Sequence, residues 1–253
     1  MSKQSSRFLK TQEITGAANN VNYIKKKRKP SGINQLQLKT IQPLTENQKK
    51  VFHDYTKENS HLVLTGYPGT GKSFIALYLA LNDLYNGDNG YTKVVIIRSI
   101  VPSRVAGFLP GSITEKQEPH FTPYHEMCYE LFGRGDATEI LLKKEIIQFE
   151  NTSFLRGVTF NNSIIIMDEF QNANFEELHT VISRISDTSK IIFCGDYAQT
   201  DLHYNKNDVS GFGQFLKILS HMKEFYITDF IVDDIVRGGM LKNYIITKTK
   251  LGL

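Results

Sequence analysis

Three short runs of this sequence, Val94 to Arg98, Ser163 to Asp168 and Lys190 to Cys194, place large apolar residues at consecutive positions, so that both faces of each run are apolar. A strand with one face in water alternates apolar and polar residues, whereas a strand with two apolar faces has to be covered twice. His61 to Thr65, stopped by Gly66, is a fourth short strand. Helical spacing separates these runs. Leu44-Thr45-Glu46-Asn47-Gln48 opens a helix to about Lys57, and Lys72 to about Tyr85 carries Phe74, Ile75, Leu77, Tyr78 and Leu81 at helical intervals. Strands alternating with helices imply an α/β domain of three layers around a mostly parallel sheet, expected over residues 35–253.

The turn after the fourth strand narrows the chemistry. Gly66-Tyr67-Pro68-Gly69-Thr70-Gly71-Lys72-Ser73 satisfies the phosphate-loop pattern, and it lies between a strand and a helix as that pattern requires. The glycines let backbone N–H groups curl around phosphate oxygens at a helix N-terminus. Lys72 then reaches the β and γ phosphates of a nucleotide, and Ser73 offers a hydroxyl to Mg²⁺.

Two other strand ends carry polar groups where an open α/β sheet holds ligands. Ser163-Ile164-Ile165-Ile166-Met167-Asp168-Glu169 ends in paired carboxylates: Asp168 suits the Mg²⁺ shell, and Glu169 the water that attacks the γ-phosphate. The same two acids also fit a solvated loop that opens the next helix, where Asn174 and Glu177 form a capping box. After the strand Lys190 to Cys194, Asp196 and Gln199 are placed to sense the γ-phosphate or orient its water.

Taken together, Gly66 to Ser73, Asp168-Glu169-Phe170-Gln171-Asn172 and Gly195-Asp196-Tyr197-Ala198-Gln199 resemble the PhoH family of P-loop ATPases, itself similar to superfamily 1 helicase cores. Gly107-Phe108-Leu109-Pro110-Gly111 with Glu115-Lys116, Leu155-Arg156-Gly157 with Thr159, Ser183-Arg184-Ile185 and Asp234-Ile235-Val236-Arg237 follow in that family's order, so the resemblance spans about residues 42 to 240. Ser73, Phe170 and Gly238 depart from the residues common there and remove no required group. The resemblance implies a RecA-like P-loop fold, ATP and Mg²⁺ as ligands, RNA or single-stranded DNA as partner, and a homo-oligomer with a hexameric ring as the leading form.

The same resemblance assigns Gln48, in its Leu-Thr-x-x-Gln context, to the adenine edge, which predicts ATP over GTP. Thr45 and Gln48 equally form a capping box that needs no ligand. Arg237 is expected to enter a neighbour's site as a finger, with Arg184 the runner-up. Arg98, Arg104, Lys116 and Arg156 either line a nucleic-acid face or are solvated charge. Two other functions stay open: a P-loop phosphotransferase acting on a small molecule, and a nucleotide-switched nucleic-acid-binding protein without turnover.

Charge separates the chain into two parts. Residues 1 to 30 carry +7 and the remainder −3, within a net +4, so residues 1–34 read as a basic flexible tail that is a solvated arm or contacts a phosphate backbone. No apolar run approaches the roughly 20 residues of a membrane span, and Met1 to Lys10 lacks a signal peptide's apolar stretch. Cys128 and Cys194 are the only cysteines, too few for a disulfide framework or a cysteine-bound zinc, and the histidines lack ligand spacing. A soluble, cytoplasmic protein with no membrane partner is the expectation.

Overall fold

The four short strands become the centre of one sheet. The computed structural model describes residues 36–87, 89–99, 113–152, 155, 157–196 and 211–251, with the backbone alone at 113–120 and 249. Its strands are β1 (His61–Gly66), β2 (Lys93–Arg98), β3 (Ile147–Asn151), β4 (Ser163–Asp168), β5 (Lys190–Cys194) and β6 (Phe225–Phe230). They lie in the order β3-β2-β4-β5-β1-β6, and every pair is parallel. The tail and the segments holding Arg104, Gly107 to Gly111, Arg156 and Gln199 lie outside the described residues.

Alternate residues of the central strands feed two separate cores. Leu62, Leu64, Val94, Ile96, Ile164, Ile166 and Ile192 pack under α1 (Glu46–Tyr55), α2 (Lys72–Asn86), α3 (Ile113–Phe132) and α4 (Ala137–Lys143). Val63, Val95, Ile97, Ile165, Met167, Ile191 and Phe193 pack under α5 (Phe175–Ile182) and α6 (Phe212–Leu219). Burying each such side chain contributes about 1.5–3 kcal/mol, which is why apolar residues at consecutive positions commit the strand to two covers. The last helix, α7 (Gly239–Lys250), runs beside the phosphate loop, with Leu241 close to Gly69.

The edge strands were not legible as two-faced runs because they are not two-faced. In β6, Phe225, Thr228 and Phe230 are buried, Tyr226 and Ile227 half-buried and Asp229 exposed; in β3 only Ile147 and Asn151 are buried. The helix boundaries fall within a residue or two of those expected from spacing.

Connections out of the sheet create the crevice. From β1 the chain passes to α2 on one face; the next element described after neighbouring β5 is α6 on the other face. Adjacent strands whose chains leave to opposite faces open a cleft at their carboxyl ends, the place where such sheets hold ligands.

Candidate nucleotide site

The phosphate loop begins where β1 is forced to stop. Gly66 has φ +107°, and a Cβ there would lie 2.1 Å from the Phe230 carbonyl oxygen, so a side chain fits neither the backbone nor the neighbour. The chain then turns: Tyr67 N–H donates to the Phe230 carbonyl at 3.1 Å, and the Thr70 hydroxyl donates to the Tyr67 carbonyl at 2.9 Å. Gly71, at φ +84°, is the N-cap of α2 and brings no capping side chain, and the first turn holds no acidic residue. The first N–H groups of α2 therefore face the loop with neither a capping oxygen nor a carboxylate competing for them, a setting that favours an anion.

Lys72 stays within this curve. Its ammonium donates to the Gly66 and Tyr67 carbonyls, both at 2.7 Å. Burial lowers its proton affinity, and the carboxylates of Asp196, Glu169 and Asp168 work in the opposite direction.

The Ser73 hydroxyl donates to Asp168 Oδ1 at 2.7 Å, joining the start of α2 to the end of β4. These two oxygens fit Mg²⁺: neighbouring ligands at about 2.0–2.1 Å around an octahedral ion lie roughly 3 Å apart. No group of three or more His, Cys, Asp or Glu forms a metal cluster among the described residues. That suits an ion which takes one or two protein oxygens and completes its shell with phosphate and water.

Glu169 follows in the left-handed region at φ 53°, a conformation uncommon for a residue with a Cβ and frequent at functional sites. Both its oxygens are held, Oε2 accepting from the Gln171 amide at 2.6 Å and Oε1 lying 3.6 Å from the Arg98 guanidinium. Burial, then the charge of Asp168, pushes its carboxyl above the ordinary range, while Gln171, Arg98 and Lys72 pull it back.

Gln171, 1% exposed, also accepts from Asp196 N–H at 3.0 Å, so one side chain ties the end of β4 to the end of β5. The sequence placed Gln171 inside a motif and gave it no role; its position two residues past Glu169 was the available signal.

The roles of Arg98 and Tyr124 were also missed. Arg98 pairs in register with Asp168 across β2 and β4, and its guanidinium lies 3.7 Å from Asp168 Oδ2. It is therefore engaged with the paired carboxylates. Tyr124, fully buried on α3, has a phenol held well above its usual range by burial and then by the charge of Asp168. No sequence spacing links it to the site; only the packing of α3 under the sheet does.

Gln48 sits beneath the loop, its amide donating to the Thr70 carbonyl at 3.0 Å and accepting from Leu44 N–H at 2.7 Å. Half of the expected capping box is present, with Gln48 N–H donating to Thr45 Oγ1 at 3.3 Å. The other half is replaced, because the amide oxygen takes the Leu44 N–H. The Asn174–Glu177 box forms fully.

Arg237 is exposed beside its own chain's loop: its N–H and that of Val236 both donate to the Gly69 carbonyl, at 3.2 and 3.0 Å. Asp234, whose carboxylate accepts from the Asn47 amide at 2.6 Å and from Ile231 N–H, anchors this segment to α1. Arg184 follows α5, on the side where β5 begins, away from the phosphate loop. Lys116 lies on α3 among the residues whose side chains are not described.

The model of a family described as PhoH-like protein matches residues 40–248. The chain is 29% identical over 208 residues to a PhoH-like protein of Mycobacterium leprae, covering 82% of this chain and 58% of that one. It is 30% identical over 190 residues to a PhoH-like protein of Bacillus subtilis, covering 75% and 58%. The chain thus spans somewhat more than half the length of these relatives. Among solved structures it is similar to the large terminase of a thermophilic bacteriophage, with TM-score 0.47 and 12% identity over 81% of this chain and 50% of that one. No described helix is long and apolar enough to cross a membrane.

Proposed function

Because this chain belongs to the PhoH-like protein family, we propose that it binds and hydrolyses ATP with Mg²⁺ and couples hydrolysis to the binding or remodelling of RNA or single-stranded DNA. One observation carries the reading: the Ser73 hydroxyl and the Asp168 carboxylate meet at 2.7 Å beside the Lys72 ammonium, with Glu169 next in the chain. Lys72 and the first N–H groups of α2 hold the phosphates, and Ser73 and Asp168 hold the cation, which when bound neutralises phosphate charge. Glu169 takes the proton of the attacking water or orients it, a role that a carboxyl of raised proton affinity suits. Asp196, with Gln199, attends the γ-phosphate.

The assembly we propose is a homo-oligomer, a hexameric ring first among the forms. In this reading the second of the two bodies that a motor moves against each other is another copy of the chain. Arg237 then completes a neighbour's site, an arrangement that stabilises developing charge in other nucleotide hydrolases.

The experiment is steady-state turnover and equilibrium ATP binding, with and without single-stranded RNA or DNA, for the wild type and Glu169→Gln. The wild type turns over ATP faster with nucleic acid. The variant keeps its ATP affinity while turnover falls by roughly 10² or more. Absence of wild-type turnover, or loss of binding in step with turnover in the variant, refutes the assignment.

A further inference from the structure

The residue assigned to the adenine edge has both ends of its amide in use. Gln48 Oε1 accepts from Leu44 N–H at 2.7 Å, Nε2 donates to the Thr70 carbonyl at 3.0 Å, and the residue is 4% exposed. Its orientation is fixed by its partners. A backbone N–H only donates and a carbonyl only accepts, so a flipped amide would set donor against donor and acceptor against acceptor. A Cβ at Gly71 would lie 3.5 Å from Nε2, which shows how closely the loop lies over the amide. Reading adenine requires an acceptor for its amino group and a donor for a ring nitrogen; the amide keeps a second lone pair and a second N–H, but the side chain is buried under the loop and its orientation is fixed, so neither is presented to a base in the open cleft.

The described segments that flank the loop present exposed apolar side chains. Among the described residues, Leu44, Val236 and Met240 are exposed large apolar side chains on segments that bond to the loop or its Gln48 support or adjoin Leu241 beside Gly69, and such side chains cover any base without choosing among them. We propose that Gln48 is a strut that fastens the phosphate loop to the entry of α1, and that the site takes nucleoside triphosphates without preference for adenine at this position. Gln48 is then a positioning residue: it acts on phosphates through Thr70, and it acts equally for every base.

This inference rests on the nucleotide reading above, and the test separates the two. Equilibrium binding of ATP, ITP and GTP is measured for the wild type and for Gln48→Met, a volume-conserving change that removes both hydrogen bonds. The wild type binds the three within about threefold of one another, and the variant weakens all three by a common factor of about 5–10. A wild-type preference for ATP over ITP of about tenfold or more, lost in the variant while ITP binding is unchanged, overturns the strut. Amide hydrogen exchange without nucleotide supplies the second readout. The Leu44 amide is protected in the wild type and loses that protection in Gln48→Met; an amide that exchanges freely in the wild type overturns the proposal. If no triphosphate binds the wild type, the nucleotide reading falls, and Leu44 exchange still decides the strut. If Gln48→Met does not fold, the wild-type base profile and Leu44 protection decide it.

Discussion

Lys190 opens β5 at the end of the sheet opposite the phosphate loop, and the residue is buried, 6% exposed. It donates to the Tyr55 carbonyl at 2.8 Å and lies 3.9 Å from the centre of the Tyr55 ring. Burial pulls its pKa down to about 8, against about 10.4 in an unfolded chain. Below pH 8 both states hold the proton, and the folded state carries the full cost of the buried charge, about 3 kcal/mol. Between pH 8 and 10.4 the unfolded chain binds the proton more often than the folded one, so stability from this group rises with pH. From pH 7 to pH 9.5 the relief amounts to about 2 kcal/mol. Lys190→Met has no such group, so its stability relative to the wild type should fall by about 2 kcal/mol over that interval. The difference at pH 7 also contains the lost hydrogen bond to Tyr55, about 1 kcal/mol, but its change with pH does not. Urea unfolding of both proteins at pH 7.0 and 9.5 measures the quantity. A flat difference, or one that grows in favour of methionine, would show that Lys190 is not held as a charge in a dry site.

Lys72→Ala should abolish turnover and weaken ATP binding, because it removes the ammonium that the loop holds; turnover at the wild-type level would sink the site. Arg237→Ala subunits mixed with Lys72→Ala subunits should recover some activity if the arginine acts across an interface, and no recovery would return Arg237 to its own loop. Deleting residues 1–30 should weaken nucleic-acid binding and reduce its salt dependence, leaving nucleotide affinity alone. Unchanged affinity at two salt concentrations would make the tail a solubility device.

Ile165 and Ile191 illustrate what the sequence made legible. Residues like these, apolar where an alternating strand would be polar, specify a doubly covered sheet without reference to any neighbour. The phosphate loop was legible for a similar reason, since glycine positions and lysine spacing are local. What is not local in the sequence is held by distant pairing: Arg98 reaches Asp168 through strand register, and Tyr124 feels the charge of Asp168 from a helix that continues through Pro123, a residue that normally argues against a helix interior. Gln48 lay between the two cases. Its pattern was visible, but its partners, Leu44 and Thr70, belong to the three-dimensional path of the loop.

The pairing of β6 with β1 has a consequence for how the molecule comes into being. His61 stands opposite Phe225 and Gly66 opposite Phe230, so this side of the loop is built from residues separated by most of the chain. Parallel pairings of such high sequence separation are slow, since loop closure precedes any reward. During synthesis, β1 is made long before β6. Until β6 arrives, the Gly66 end of β1 lacks the Phe230 carbonyl that receives the Tyr67 N–H, and one edge of β1 stays open to other strands. The phosphate loop, among the earliest parts of the domain to be translated, is therefore among the last to acquire its final shape.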